Sequence, residues 1–219
     1  RLGEQVVNEQ PELGESPEAD WLAWGRTNLG QRYSPLDQIT PDNVGQLEEA
    51  WRYQTGDTKQ PDDTGETTYE ATPLKVGNTL YLCTPHNWLV ALDADTGEEH
   101  WVYKAGVGPN SQRQHQTCRG VSYLPPEGGA EEAPEVQPLS GPAEDQSAVS
   151  CDAHLYLPTA DARLLALDPE TGARCEAFAE QGELDLMHNM PFTQSGFYYS
   201  TSPPVVANGL VVVAGAVND

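Results

Sequence analysis

A nine-residue stretch of this 219-residue chain occurs twice. Leu89-Val90-Ala91-Leu92-Asp93-Ala94-Asp95-Thr96-Gly97 returns as Leu164-Leu165-Ala166-Leu167-Asp168-Pro169-Glu170-Thr171-Gly172. The strand-like Leu80-Tyr81-Leu82 before the first copy returns as Leu155-Tyr156-Leu157 before the second. A third echo pairs Thr72-Pro73-Leu74-Lys75-Val76-Gly77-Asn78-Thr79 with Ser202-Pro203-Pro204-Val205-Val206-Ala207-Asn208-Gly209. The repeated unit reads as a strand, a turn, two more strands, an Asp-x-x-x-Gly hairpin and a last strand. Turn formers recur about every eight to twelve residues, which is an all-β signal. Antiparallel four-stranded units repeated at a long period are propeller blades.

The ring is the difficulty. A propeller buries its edges by closing over four to eight blades. Only three or four fit here, and Val217-Asn218-Asp219 follows directly on a Val-rich run. A closed four-bladed ring is one reading. The unfinished third unit favours the other, a portion of a larger ring. Residues 1–19 are acidic and poor in large apolar side chains, so a flexible lead-in is expected there. The blades are then expected over 20–219. Within them, 124–146 is rich in Pro, Gly, Ala and Glu, and reads as a solvated surface insertion. An acidic docking surface is the alternative. Thr40-Pro41-Asp42 looks like a helix start, with Thr40 as N-cap and Val44, Leu47 and Trp51 on one face. Trp51 to Thr55 then alternates as a strand would.

Charge narrows the function. Eleven Lys and Arg against 34 Asp and Glu leave a net charge of −23, which excludes a phosphate-binding surface for nucleic acid. It also disfavours an anionic membrane face. No apolar run spans a bilayer, and the absence of a starting Met and of a signal-peptide pattern leads us to expect a mature or excised piece. Cys83, Cys118, Cys151 and Cys175 show no Cys-x-x-Cys spacing, so zinc is disfavoured. By count alone they fit two disulfides in an oxidising compartment or four buried thiols. If they pair, the blade reading joins Cys83 on one blade to Cys118 at the entry of the next, and Cys151 to Cys175 within a blade.

The first hairpin, Ala91-Leu92-Asp93-Ala94-Asp95-Thr96-Gly97-Glu98-Glu99-His100-Trp101, has the form Ala-x-Asp-x-x-x-Gly-x-x-x-Trp. It resembles the blade-docking motif of quinoprotein dehydrogenases, which are eight-bladed propellers that hold pyrroloquinoline quinone (PQQ). The second copy keeps Ala166, Asp168 and Gly172 but has Glu176 in place of the Trp, so a less well packed junction is expected there. Asp20-Trp21-Leu22-Ala23-Trp24-Gly25-Arg26 and Arg32-Tyr33-Ser34-Pro35-Leu36-Asp37-Gln38-Ile39 resemble the opening of these enzymes. His115-Gln116-Thr117-Cys118-Arg119-Gly120-Val121-Ser122-Tyr123 is similar to the membrane-bound glucose and quinate dehydrogenase branch, as are Cys175-Glu176-Ala177-Phe178, Asn189-Met190-Pro191 and Thr201-Ser202-Pro203-Pro204. The alcohol-oxidising branch usually carries adjacent cysteines near this arginine; here Cys118 stands alone.

The resemblance implies a site. Arg119 matches the arginine that pairs with the tricarboxylate cofactor, and a guanidinium fork suits a carboxylate. Its structural alternative is a surface ion pair. His115 precedes it by four residues, a spacing that puts both on one side of a strand, and is expected to contact cofactor or substrate. Glu70 and Thr201 match further cofactor contacts, each just before an inner strand; for Glu70 the alternative is a solvated loop carboxylate. Asp219 matches a carboxylate that binds Ca²⁺ or Mg²⁺ beside the quinone. The general base and the later cofactor lysine match positions downstream of Asp219, so no catalytic residue is assigned here. The implied protein is the N-terminal part of a periplasmic, membrane-associated dehydrogenase. It would oxidise a sugar or polyol, pass electrons to ubiquinone, and need its remaining blades; the isolated chain is expected to be inactive. The alternatives are a non-catalytic propeller scaffold and an inactive fragment.

Overall fold

Short Val-, Leu- and Tyr-rich runs punctuated by Asn-Gly and Asp-Thr-Gly turns can bury themselves only by pairing side by side. The computed structural model describes residues 20–217, apart from 28, 64, 112, 128–147 and 195. In chain order the strands are β1 (Glu66–Thr67), β2 (Leu74–Val76), β3 (Thr79–Cys83), β4 (Trp88–Asp93), β5 (Glu99–Lys104), β6 (His115–Gln116) and β7 (Ser122–Leu124). They continue as β8 (His154–Pro158), β9 (Arg163–Leu167), β10 (Glu183–Asp185), β11 (Tyr198–Tyr199), β12 (Val205–Ala207), β13 (Leu210–Val212) and β14 (Ala216–Val217). The sheet order β2-β3-β4-β5 is one antiparallel blade and β7-β8-β9-β10 the next. The β12–β13 hairpin begins a third, as the third echo anticipated. The fold is a partial β-propeller.

The repeat is kept to the level of register. Leu80 faces Leu92 and Tyr81 faces Ala91 in the first blade; Leu155 faces Leu167 and Tyr156 faces Ala166 in the second. The two hairpins are equivalent as well. Asp93 Oδ1 accepts hydrogen bonds from the backbone of Asp95 and Thr96 and the Thr96 hydroxyl, and Asp168 Oδ1 does the same with Glu170 and Thr171. Both close on a glycine at positive φ, Gly97 at 72° and Gly172 at 73°.

Those glycines are also docking surfaces. A Cβ at Gly172 would lie 2.6 Å from Trp101, and a Cβ at Gly97 2.5 Å from Trp51. Trp101 Nε1 donates to the Pro169 carbonyl (3.2 Å) and Trp51 Nε1 to the equivalent Ala94 carbonyl (3.2 Å). Trp51 is therefore the docking tryptophan of the element before the first blade, which corrects its reading as a helix-face residue. The expected helix is a single 3-10 turn at Val44–Gln46. Asn43, not Thr40, is its N-cap residue, and Asn43 Oδ1 accepts from the Thr40 backbone N–H. Gly45 weakens so short a segment, and exposed Val44 and Leu47 give it no face to bury. The expected strand at 51–55 alternates in burial but has no ladder partner among the described residues.

The core lies between blades. Leu74, Tyr81, Leu89, Ala91 and Trp101 of the first blade pack against Leu155, Leu157, Leu165 and Leu167 of the second. The other face of the first blade, Leu82, Val90 and Leu92, is covered by Trp51 and Tyr53. Buried Asn87 adds a polar tie, accepting from the Ala160 N–H (3.0 Å) and donating to the Pro158 carbonyl (3.3 Å). Both expected disulfides are formed, Cys83–Cys118 and Cys151–Cys175. The expected lead-in at 1–19 and nearly all of the insertion at 124–146 lie outside the described residues.

Candidate functional site

Where successive inner strands begin, the chain ties itself together through the backbone. The Thr72 N–H donates to the Arg119 carbonyl (2.9 Å), and the Arg119 N–H donates to the Thr201 carbonyl (2.9 Å). Thr72 leads into β2, Arg119 into β7 and Thr201 into β12. The buried Cys118, bridged to Cys83, immediately precedes Arg119. The guanidinium is thus delivered to one place by backbone bonds and a covalent link.

Three of the sequence-predicted residues meet there. Arg119 Nε lies 2.8 Å from Glu70 Oε2, and Arg119 Nη1 donates to Thr201 Oγ1 (2.5 Å). The Thr68 hydroxyl donates to Glu70 Oε1 (3.1 Å) and orients the carboxylate. Arg119 and Glu70 keep 39% and 41% of their side-chain surface, so their ion pair contributes little stability. It is exposed to a ligand. His115 takes a different partner. It pairs with Glu66 across the β1–β6 ladder, with Nδ1 3.4 Å from Glu66 Oε2 and half of its side chain exposed. The spacing argument did not carry because β6 ends at Gln116, so His115 and Arg119 do not share one strand. Asp219 lies outside the described residues. Among the described residues, no group of three or more His, Cys, Asp or Glu could hold a metal ion.

Two residues join the site that sequence reading did not assign to it. Arg32 Nη2 donates to Thr72 Oγ1 (2.7 Å), with its guanidinium 4.0 Å from the Trp24 ring centroid. That places a second cation beside the Arg119 carbonyl's own partner. Glu66 is the other, as the partner of His115. The signal for Arg32 was its place in the opening motif; nothing local marked Glu66. The arrangement offers a half-exposed guanidinium, a hydroxyl and a neighbouring cation on one rim. Carboxylates bind such donors.

The family model for the PQQ glucose/ethanol/alcohol dehydrogenase β-propeller domain matches residues 21–219. Quinoprotein glucose dehydrogenase of Escherichia coli K12 is 50% identical over 201 residues, 91% of this chain and 24% of that protein. Quinate/shikimate dehydrogenase (quinone) of Acinetobacter baylyi is 36% identical over 92% of this chain and 24% of its own length. Among solved structures, a quinohemoprotein alcohol dehydrogenase from Pseudomonas putida HK5 matches with a TM-score of 0.62 and 27% identity, covering 91% of this chain and 23% of that one. The chain spans about a quarter of the curated relatives it matches. No helix among the described residues is long and apolar enough to cross a membrane.

Proposed function

Since the chain belongs to the PQQ glucose/ethanol/alcohol dehydrogenase β-propeller family, we propose that it forms the N-terminal blades of a PQQ-dependent dehydrogenase acting on a sugar or polyol. The observation that carries this reading is the gathering of Arg119, Glu70 and Thr201 at the inner-strand entries. The donor set fits the cofactor's chemistry. PQQ bears three carboxylates, and Arg119 and Thr201 offer it a charged fork and a hydroxyl. When bound, PQQ supplies the two-electron acceptor for oxidising an alcohol or hemiacetal carbon. Glu70 holds Arg119 in place, and His115 with Glu66 extends the polar rim toward the substrate. Blade packing alone does not require Arg119, Glu70 and Thr201 to meet, which weighs against the scaffold reading.

Asp219 supplies a carboxylate to Ca²⁺ or Mg²⁺ in this reading, because hard cations take oxygen ligands. The relative that is most similar among those named acts on glucose, and another carries a quinone in its name. These support a polyhydroxy substrate and ubiquinone as electron acceptor. Two disulfides support the oxidising periplasm, with membrane association in the full-length enzyme.

The test is Arg119→Ala in the full-length protein, titrated with PQQ. Loss of one charge-assisted contact, about 1.5–3 kcal/mol, lowers affinity roughly ten- to a hundredfold. Unchanged affinity overturns the assignment.

A further inference from the structure

His86 sits at the turn between β3 and β4, and its side-chain partners are not those of Arg119. Its Nδ1 is 2.5 Å from Asp57 Oδ1 and its Nε2 is 3.1 Å from Asp63 Oδ1. Its backbone N–H donates to the other Asp57 oxygen, Oδ2 (2.8 Å). The three side chains are nearly closed to solvent, at 13%, 1% and 5% exposure for His86, Asp57 and Asp63. A neutral imidazole has one N–H and one lone pair. Between two buried carboxylates the lone pair would face an oxygen it can only repel. An imidazolium donates on both sides and leaves no buried carboxylate unpaired.

What the cluster holds matters. Asp63 Oδ2 accepts from the Gln60 N–H (2.6 Å) and from the Thr67 hydroxyl (3.4 Å), so it fastens the 57–63 turn to β1. The same β3–β4 turn grips β6, because the Pro85 carbonyl accepts from Gln116 Nε2 (2.6 Å). One turn therefore holds both strands of the β1–β6 ladder, which carries Glu66 and His115 and runs on to Glu70. We propose that His86 is a positioning residue: clamped as an imidazolium between Asp57 and Asp63, it fixes the segment that brings Glu66 and Glu70 to the rim beside His115 and Arg119. The clamp stands by itself; only its consequence for PQQ rests on the function proposed above.

The electrostatics agree in sign. Burial opposes charge on His86, but its bonds to Asp63 and Asp57 outweigh that and raise its pKa. Burial would raise Asp63, but the Gln60 N–H, His86 and Thr67 together hold it low. Beyond the two aspartates, Arg113, on the loop leading to β6, interacts with Asp63 and with Asp161 of the second blade, while Lys59, which donates to the Gly65 carbonyl, and Asp62 lie on the 57–63 turn itself. Because folding raises the His86 pKa, its contribution is complete below the ordinary histidine range and is lost as pH climbs through the raised value. Asp63 sets the acid limit. Its contribution holds above the ordinary carboxylate range and is lost as pH falls through its lowered value.

The experiment follows exchange of the His86 imidazole C2 hydrogen by mass spectrometry across pH, in the full-length protein. The midpoint is expected above that of the same peptide after unfolding, and Asp63→Asn should bring it down. A midpoint at or below the unfolded one overturns the clamp. In parallel, PQQ affinity of the wild type should fall from the acid to the alkaline side of that midpoint. His86→Gln should show the weakened value throughout, roughly ten- to a hundredfold down, the scale of losing a partner that orients a binding group. If His86→Gln binds PQQ as tightly as wild type, the positioning role fails. If no variant binds PQQ while the midpoint stays raised, the clamp stands and the proposed cofactor falls.

Discussion

The first and second blades share strand order, register and hairpin, yet they finish differently. In the first blade β5 runs unbroken from Glu99 to Lys104 and plants Trp101 on the Gly172 hairpin of the second. In the second blade the chain leaves the hairpin, pairs with β9 at a single Arg174–Leu167 bridge, with the Cys175 N–H donating to the Ala166 carbonyl (2.9 Å), and then turns away. The outer strand is then supplied later, by β10. Glu176 stands exposed where the tryptophan would be. At that departure the Cys151–Cys175 bridge and a Val149–Cys175 pairing fasten the edge. One blade is held to its neighbour by a large aromatic and a hydrogen bond. The other is closed on itself by a covalent link where that aromatic is missing.

Removing the aromatic is the harshest way to break the comparison. Trp101 is buried and donates to Pro169, beside Tyr81, whose hydroxyl takes the same carbonyl (3.0 Å). Trp101→Ala should cost about 3–5 kcal/mol. Amide hydrogen exchange should report it as lost protection in β4, β5 and the 168–172 hairpin together. Glu176→Ala is the control, expected within about 0.5 kcal/mol. Equal losses at the two positions would mean that the blades are not docked as described.

The two disulfides separate stability from site. Their sequence separations are 35 and 24 residues. Loop-closure entropy makes each worth about 3–4 kcal/mol, with little to choose between them. Their positions differ, because Cys118 is next to Arg119 while Cys175 lies at the outer edge. Replacing either pair with alanine should lower the unfolding midpoint by a similar amount. Only the Cys83/Cys118 pair should also weaken PQQ binding. Identical behaviour in the binding titration would show that the bridge does not hold Arg119 in place.

Much of this was legible in the chain because it is local or repeated. Strand–turn–strand spacing and the Asp-x-x-x-Gly hairpins set the blades, and both disulfide partners followed from where the cysteines fall on them. Trp51 was misread because its partner is the Gly97 hairpin of another element; seen alone, Val44, Leu47 and Trp51 have helical spacing. The meeting of Arg119, Glu70 and Thr201 came from the family resemblance, since no spacing rule brings three inner-strand entries together. His86 carried no signal at all. A histidine between a proline and an asparagine is unremarkable until folding sets Asp57 and Asp63 on either side of it.

The smallest effect makes the finest test, because one substitution should act unequally at equivalent positions. The turns Thr84–Trp88 and Thr159–Arg163 match bond for bond: Asn87 N–H to the Thr84 carbonyl, Ala162 N–H to the Thr159 carbonyl, and a threonine hydroxyl accepting from the N–H of Trp88 or Arg163. Both turns need a left-handed residue, Asn87 at φ 57° and Ala162 at φ 67°. Asparagine tolerates that region, and Asn87 also holds the second blade through Pro158 and Ala160. Ala162 has the strain and a buried methyl. Glycine at 162 removes roughly 1–2 kcal/mol of strain but gives back most of it through a freer unfolded chain and the lost methyl burial of about 0.8 kcal/mol, for a net change near zero. Glycine at 87 relieves little and leaves a buried N–H and carbonyl unpaired, for a loss of about 1–3 kcal/mol. Paired urea unfolding of Ala162→Gly and Asn87→Gly checks the difference. Equal losses at both would mean that Ala162 sits in its turn without strain, and that the equivalence of the turns ends at their hydrogen bonds.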